Sequence, residues 1–307
     1  VTPPPSPVPP AGTGRGVPRC RCGMGSLENP YWLALTSPNP SYIGRIAGFT
    51  ALFATSFLIL DRLTSRSSAN QLLHGLSSPR GGRSRPPERS GLQAATNILS
   101  LVHSTGTAIG SMWTVIQLLR GDPGGWAAPV WQWVLAFSQG YFFSDALLYG
   151  TRREHWVLVH HGWMIIAHHP IGEPLRLCSM MGCGDANLAV WLSATGYTAE
   201  VSTVFLNTRW FHHKLLKKHC LWYTINSALL LLTYPTARVL AVPFILGGSL
   251  WPRWGMYSEH GLGGLVVFTS VTYAAMSAMS AYYTYTLLAK GLNRALYLDK
   301  EEKDKEN

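Results

Sequence analysis

Short charged blocks divide this chain into long apolar segments, and no other feature of the sequence restricts the fold as much. A helix needs roughly 20 mostly apolar residues to cross about 30 Å of hydrocarbon, and seven segments approach that length. They are residues 42–60, 96–119, 129–149, 156–170, 184–206, 221–246 and 263–288. Charged residues make up only 13% of the chain, whereas about 25% is typical of soluble domains. The pattern predicts an all-helical, multi-pass transmembrane bundle of about seven spans.

Two of these segments depart from a regular span. The segment 156–170 is short, so it needs tilt or local thinning of the bilayer. The segment 221–246 contains "TYPTARVLAVP", in which Pro235 and Pro243 predict a kink or a break.

The segments divide the chain into regions of different character. We expect a disordered Pro- and Gly-rich region at 1–41, a first transmembrane helix at 42–60, an Arg- and Ser-rich cytosolic loop at 61–91, a multi-span domain at 92–290 and a charged cytosolic tail at 291–307. The first residue is Val1 rather than Met, so the true N-terminus is left open.

The distribution of Lys and Arg predicts the orientation in the membrane. The formal net charge is +10, but the basic residues lie in short blocks between apolar runs, which argues against nucleic acid as a partner. Of the 25 Lys and Arg residues, 17 fall in regions on one side of the predicted spans and six on the other. The positive-inside rule therefore predicts a lumenal N-terminus and a cytosolic C-terminus. The final "KDKEN" has the form of an endoplasmic reticulum retrieval signal, and a solvated charged tail is the alternative.

Ionisable residues of four predicted spans fall at a similar depth. At 1.5 Å per residue, His103, Asp145, His160, His161 and Glu200 lie roughly 6–10 Å below the cytosolic face. Ionisable groups inside a membrane usually face the bundle interior or a water-filled cavity. We therefore predict one shared pocket beneath the cytosolic leaflet.

The adjacent histidines of "WVLVHHGWMIIAHHP" allow three interpretations. His160 and His161 can be packed, hydrogen-bonded rings, a base or nucleophile for proton or acyl transfer, or ligands of a lipid head group. His168 and His169 adjoin Pro170 and are interpreted as membrane-interface residues. We predict no metal, because the chain has no repeated His-box spacing.

Further polar features of the spans have a structural interpretation. "LVHSTGTAIGS" at 101–111 and "LSATGYTAEVST" at 192–203 are rich in small residues, which predict close helix packing apart from His103 and Glu200. Arg238 lies deep in the sixth span, where we expect it to contact a carboxylate, backbone carbonyls or a lipid phosphate.

Five motifs in series resemble a known family. "NILSLVHSTGTAIG", "SQGYFFSDALLY", "HWVLVHHGWMI", "AEVSTVFLNTRWF" and "LLTYPTARV" follow one another within residues 92–290, as in the TRAM–LAG1–CLN8 (TLC) domain. The resemblance implies a multi-helix fold in endoplasmic-reticulum-type membranes. It also implies a role in lipid synthesis, lipid sensing or protein handling at that membrane.

The enzymes of this family imply a more specific comparison. Ceramide synthases use an adjacent His pair and a downstream acidic pair to transfer an acyl chain from acyl-CoA to a sphingoid amine, and His160 and His161 match the His pair. Their "D-x-S-D-x-F-L-E" segment reads "EVSTVFLN" here, so Glu200 takes the first acidic place. Thr203 replaces the second acid and Asn207 the final Glu. The chain is therefore more similar to the TLC proteins that are not ceramide synthases.

Three functional hypotheses follow. The first is a protein of lipid homeostasis in the endoplasmic reticulum membrane, which handles or senses lipids. Its head-group ligands would be His103, Asp145, His160, His161, Glu200, Asn207 and Arg238. The alternative is a sphingoid-base N-acyltransferase, with His160 or His161 as base or nucleophile and Asp145 or Glu200 orienting it. It would use acyl-CoA as substrate and no cofactor. A cargo receptor or translocation accessory is the third, and association into homo- or hetero-oligomers is left open.

Overall fold

The computed structural model describes most of the predicted spans and is all-helical over the residues that it describes. These residues are 40–66, 88–122, 124–149, 158–165, 186–215, 221–259 and 263–306. The α-helices among them are α1 (Pro40–Arg66), α2 (Glu88–Leu119), α3 (Ala127–Tyr149), α4 (158–165), α5 (Ala186–Tyr197), α6 (Glu200–Leu215), α7 (Leu221–Pro235), α8 (Ala241–Ile245), α9 (Trp254–Glu259) and α10 (Gly263–Glu306). The predicted helical fold class is thereby confirmed.

Helices α1, α2 and α3 pack together and carry the largest apolar cluster. A Cβ atom at Gly140 would lie 2.4 Å from Cβ of Phe49, so only glycine lets α1 and α3 approach this closely. The ring of Phe49 also meets that of Phe137 edge-on at 5.4 Å. At the start of α3, the Asp122 carboxylate accepts the backbone N–H of Trp126 at 2.9 Å and caps the helix. These contacts fix the helix that carries Asp145.

The fifth apolar segment is not one helix. A turn at Thr198 and Ala199 separates α5 from α6, so the segment 184–206 differs from the regular span that its hydropathy predicts. With 12 residues, α5 covers about 18 Å. Hydroxyl groups bond the carbonyls at the turn: Thr198 donates to Thr195 O at 2.6 Å and Ser202 to Ala199 O at 2.7 Å. Such bonds satisfy backbone groups where water is scarce. The turn places Glu200 in the first turn of α6.

The sixth apolar segment continues as a helix through both prolines. Pro235 ends α7 and is followed by a π-helical stretch, Thr236–Leu240, and Pro243 lies in α8 before a second one, Leu246–Leu250. Proline has no N–H to donate and its ring crowds the preceding turn, and wider π turns accommodate both effects. The predicted kink or break therefore takes the form of two π turns within a continuous helix.

Polarity is distributed in the manner of a membrane protein. Fully buried positions on one face of α2 are polar (Ser104, Thr107, Ser111 and Thr114), whereas Leu119, Leu147 and Phe244 are at least 70% exposed. Two stretches of the described chain, Pro40–Leu63 and Leu221–Leu250, are long and apolar enough to cross a membrane. The total of about seven spans stays a prediction.

Some of the predictions concern residues outside the described ranges or the C-terminal tail. The proposed interface residues His168 and His169, and nearly all of the region 1–41, lie outside the described residues. Helix α10 includes the last predicted span and continues through the predicted tail to Glu306.

Candidate functional site

A buried carboxylate and imidazole form the closest pair of the predicted site residues. Asp145 is in α3 and His161 is in α4, and the His161 Nδ1 to Asp145 Oδ2 distance is 2.7 Å. A carboxylate accepts a proton-bearing nitrogen, so Nδ1 of His161 donates the hydrogen bond and Nε2 is the ring nitrogen that this contact does not use. An imidazole oriented in this way can take up a proton at Nε2.

His103 lies in the same packed cluster but has a different partner. Its ring stacks on that of Tyr141 at 4.1 Å between centroids, and its Nε2 is 2.8 Å from Ser138 Oγ. Tyr141 and Phe142 also contact His161, with centroid distances of 5.9 and 5.1 Å. Two aromatic rings of α3 therefore join His103 and His161, and we name His103, Asp145 and His161 the aspartate cluster.

The two adjacent histidines face different neighbours. Successive helical residues point about 100° apart, and the rings of His160 and His161 lie 5.4 Å apart at an interplanar angle of 49°. His161 turns to Asp145, whereas His160 lines a cavity on the other side of α4. The histidine pair is thus the point at which the aspartate cluster adjoins this cavity.

The cavity lies between α4, the α5–α6 turn, the first π turn with α8, and α10. Its volume is about 70 Å³, which is room for about two water molecules, at roughly 30 Å³ each in the liquid, or a similar volume of ligand. The polar side chains of the lining are His160, Tyr197, Glu200, Arg238, Thr272, Tyr273 and Ser280. Methionine, valine, isoleucine and alanine side chains make up most of the rest.

Arg238 is the centre of the polar contacts at this cavity. It donates from Nε to Ser202 Oγ at 2.8 Å and from Nη2 to Thr203 Oγ1 at 2.6 Å. Its Nη2 lies 3.4 Å from Glu200 Oε1, and its Cζ is 5.1 Å from the ring centroid of Tyr234. We name Glu200, Ser202, Thr203 and Arg238 the arginine node.

Two backbone irregularities bring the arginine node together. The π turn carries Arg238, and the chain break before α6 places Glu200 at a helix N-terminus, where the helix dipole favours a negative charge. Of the three partners expected for Arg238, the structure gives it a carboxylate, supplemented by two hydroxyl groups.

The predicted site residues therefore form two adjoining groups rather than one layer around one pocket. His103, Asp145 and His161 are in the aspartate cluster, and His160, Glu200 and Arg238 line the cavity. Asn207 belongs to neither, because its amide donates to Ser100 Oγ at 2.9 Å and joins α6 to α2.

Sequence reasoning missed several polar neighbours. Ser138 bonds His103, and Ser202 and Thr203 bond Arg238. The sequence predicts close helix packing for the segment around Ser202 and Thr203 and identifies Thr203 only as the residue at the second acidic place. Their position two and three residues after Glu200, on the same helical turn, was the available signal. Within the described ranges, no group of three or more His, Cys, Asp and Glu side chains could hold a metal ion.

Comparison with known families gives one match. The family model of the TLC domain (TRAM, LAG1 and CLN8) matches residues 93–289. No solved structure matches the chain.

Proposed function

Because this chain belongs to the TLC-domain family, we propose that it is an integral membrane protein of lipid homeostasis that binds a membrane lipid in the cavity described above. The observation that carries the proposal is the lining of that cavity, in which Glu200 and Arg238 meet apolar walls inside a helical bundle. A lipid is the ligand class that combines a polar head with apolar chains.

The lining has groups for both parts of a lipid. His160, Glu200 and Arg238 supply donors and acceptors for a head group. Thr272 Oγ1 is buried and has no hydrogen-bond partner in the part of the chain that the structure describes, and buried polar atoms normally have one. Val242, Ile245 and Met276 offer apolar contact to the first carbons of the chains.

Filling the cavity is expected to remove the lipid. Ala237 lines the cavity, so Ala237→Phe should reduce the amount of lipid that co-purifies with the protein about tenfold, because the added ring occupies the head-group space. The measurement is mass spectrometry of lipids extracted from protein purified in mild detergent. Ala274→Phe is the matched control, since Ala274 is exposed on α10 and lies outside the lining. Equal lipid retention by the two variants would contradict the proposal.

We further propose that the protein resides in the endoplasmic reticulum membrane with a lumenal N-terminus and a cytosolic C-terminus, on the basis of the Lys and Arg distribution. A cysteine at position 300 should then react with a membrane-impermeant reagent in intact microsomes. A cysteine at position 120, in the α2–α3 connection, should react only after permeabilisation. The reverse labelling pattern would overturn the orientation, and both experiments use a background without the five native cysteines.

One observation favours a second function, an acyl-CoA-dependent N-acyltransferase. The Asp145 carboxylate orients His161 at 2.7 Å, as a base for a sphingoid amine requires. Against it, the second acidic position is Thr203, whose hydroxyl accepts a bond from Arg238.

An assay with acyl-CoA and sphingoid bases separates the two functions. If the protein is an acyltransferase, the purified wild type forms an N-acyl product. His161→Ala should lower the rate by about 10²–10⁴, the usual contribution of a general base. Lipid binding without product formation in the wild type would exclude this second function.

A further inference from the structure

The two charged side chains of the cavity lining have opposite signs, and the geometry around them points to the class of head group. We propose that the occupant carries a zwitterionic head group, with its anion at Arg238 and its ammonium at Glu200. This inference rests on the proposed lipid-binding function and specifies its ligand.

Arg238, which lines the cavity, retains hydrogen-bonding capacity beyond its contacts in the arginine node. Its Nε and Nη2 are engaged by Ser202, Thr203 and Glu200, while Nη1 has no partner among the described residues. The two N–H groups of Nη1 suit an anionic oxygen of a phosphate or carboxylate, because charge-assisted bonds of this kind are short and strong.

Glu200 is also only partly engaged. Its Oε1 is 3.4 Å from Arg238 Nη2, which is long for a charge-assisted bond, and Oε2 has no partner among the described residues. The Glu200 side chain is 9% exposed, so most of its carboxylate is shielded from water. An ammonium group of the occupant would complete the contacts of this carboxylate.

Charge balance selects among head groups. Glu200 and Arg238 together add no net charge, so a net anionic lipid would bring an uncompensated negative charge into a mostly apolar site. An uncharged lipid would meet Nη1 of Arg238 and Oε2 of Glu200 with hydroxyl or carbonyl groups, which carry no opposite charge. A zwitterion places an opposite charge at each of the two groups and keeps the site neutral.

A panel of lipids with identical acyl chains tests this selectivity. Purified wild-type protein is exchanged into detergent with diacyl phosphocholine or phosphoethanolamine lipids, phosphatidic acid or diacylglycerol, and bound lipid is measured by native mass spectrometry. The experiment is done at pH 8, where an ordinary imidazole is uncharged. Binding of the zwitterionic lipids is expected to be about tenfold tighter than that of the other two.

The Glu200→Gln variant tests the assignment of the two charges. It leaves Arg238 as the charged group of the cavity, so it should shift preference toward phosphatidic acid by about tenfold relative to wild type. Glu259→Gln is the matched control, because Glu259 is an exposed carboxylate outside the cavity lining. If Glu200→Gln does not give monodisperse protein, the panel with wild-type protein still tests the zwitterionic head group. Arg238→Gln is the complementary variant: it leaves Glu200 as the charged group of the cavity, and it should bind sphingoid amines in preference to zwitterionic lipids.

The outcomes separate this inference from the function on which it rests. If no lipid of the panel binds the wild type, the lipid-binding function fails. Equal binding of all lipids, or an unchanged lipid preference in Glu200→Gln, would overturn the proposed zwitterionic head group and leave the lipid-binding function standing. Glycerophosphocholine, which is the head group without acyl chains, is included as a further ligand. If it binds as tightly as the intact lipid, the site takes a soluble zwitterion, and the proposal that the occupant is a membrane lipid is overturned.

Discussion

Replacing Asp145 with alanine is expected to lower the free energy of unfolding by about 3 kcal/mol, since a buried polar pair loses one partner. Asp145 accepts from His161 at 2.7 Å, and both side chains are almost fully enclosed. Alanine leaves the imidazole of His161 without its acceptor. The measurement is the thermal stability of purified protein in detergent, followed by fluorescence-detected size exclusion.

A double-mutant cycle isolates the contribution of the pair. His161→Ala also breaks the contact, so the double variant should be only slightly less stable than either single variant. Asp145→Asn should cost less than Asp145→Ala, because the amide oxygen still accepts the Nδ1–H bond at a similar volume. Strictly additive effects of the two alanine substitutions would show that the pair does not act as a unit.

The positions of the helices can be predicted because the hydropathy of an apolar segment is averaged over many residues. Runs of 20 or so apolar residues locate the starts of α1, α3, α7 and α10 to within two residues, and the ends of α2 and α3 are those predicted. Helices α1, α2 and α10 extend six or more residues beyond their apolar runs, and α7 ends at Pro235, within its run. Depth along a helix is set by the same rise per residue everywhere, so counting from the span ends also identified the polar residues that the structure encloses. His103, Asp145, His161 and Glu200 are all buried.

The partners of these residues were harder to predict, because they depend on local departures from the regular helix. The break at Thr198 and Ala199 turns Glu200 into a helix-start residue. Gly196 lies just before the break, but an isolated Gly among small residues is also typical of close helix packing in membranes and does not by itself predict a break. Beyond Pro235, each π turn inserts an extra residue and rotates the following side chains by about 100° relative to a regular helix. A helical projection of the sequence therefore could not show that Arg238 meets Ser202 and Thr203.

Arg238→Met is expected to be the more damaging change at the arginine node, with a loss of about 4 kcal/mol in the free energy of unfolding. The substitution removes the bonds to Ser202 and Thr203 at 2.8 and 2.6 Å, and it leaves the Glu200 carboxylate without a cation. Methionine keeps much of the side-chain volume, so the loss reports the polar contacts rather than a cavity. Thermal stability in detergent is again the measurement, with Arg120→Met, at an exposed position, as control.

The lengths of the contacts predict that substituting Glu200 lowers the free energy of unfolding less than substituting Arg238 does. Glu200→Gln removes the charge from the 3.4 Å interaction but keeps an oxygen that can accept from Arg238, and Arg238 keeps both hydroxyl partners, so the expected loss is about 1 kcal/mol. The double variant Glu200→Gln and Arg238→Met should be more stable than Arg238→Met alone, because no unpaired charge remains in the interior. If Glu200→Gln lowers the free energy of unfolding as much as Arg238→Met does, the ion pair rather than the hydroxyl contacts stabilises the arginine node. The Nη1 group of Arg238 would then be less available to a ligand than the bond lengths imply, because Glu200 would hold the guanidinium more firmly.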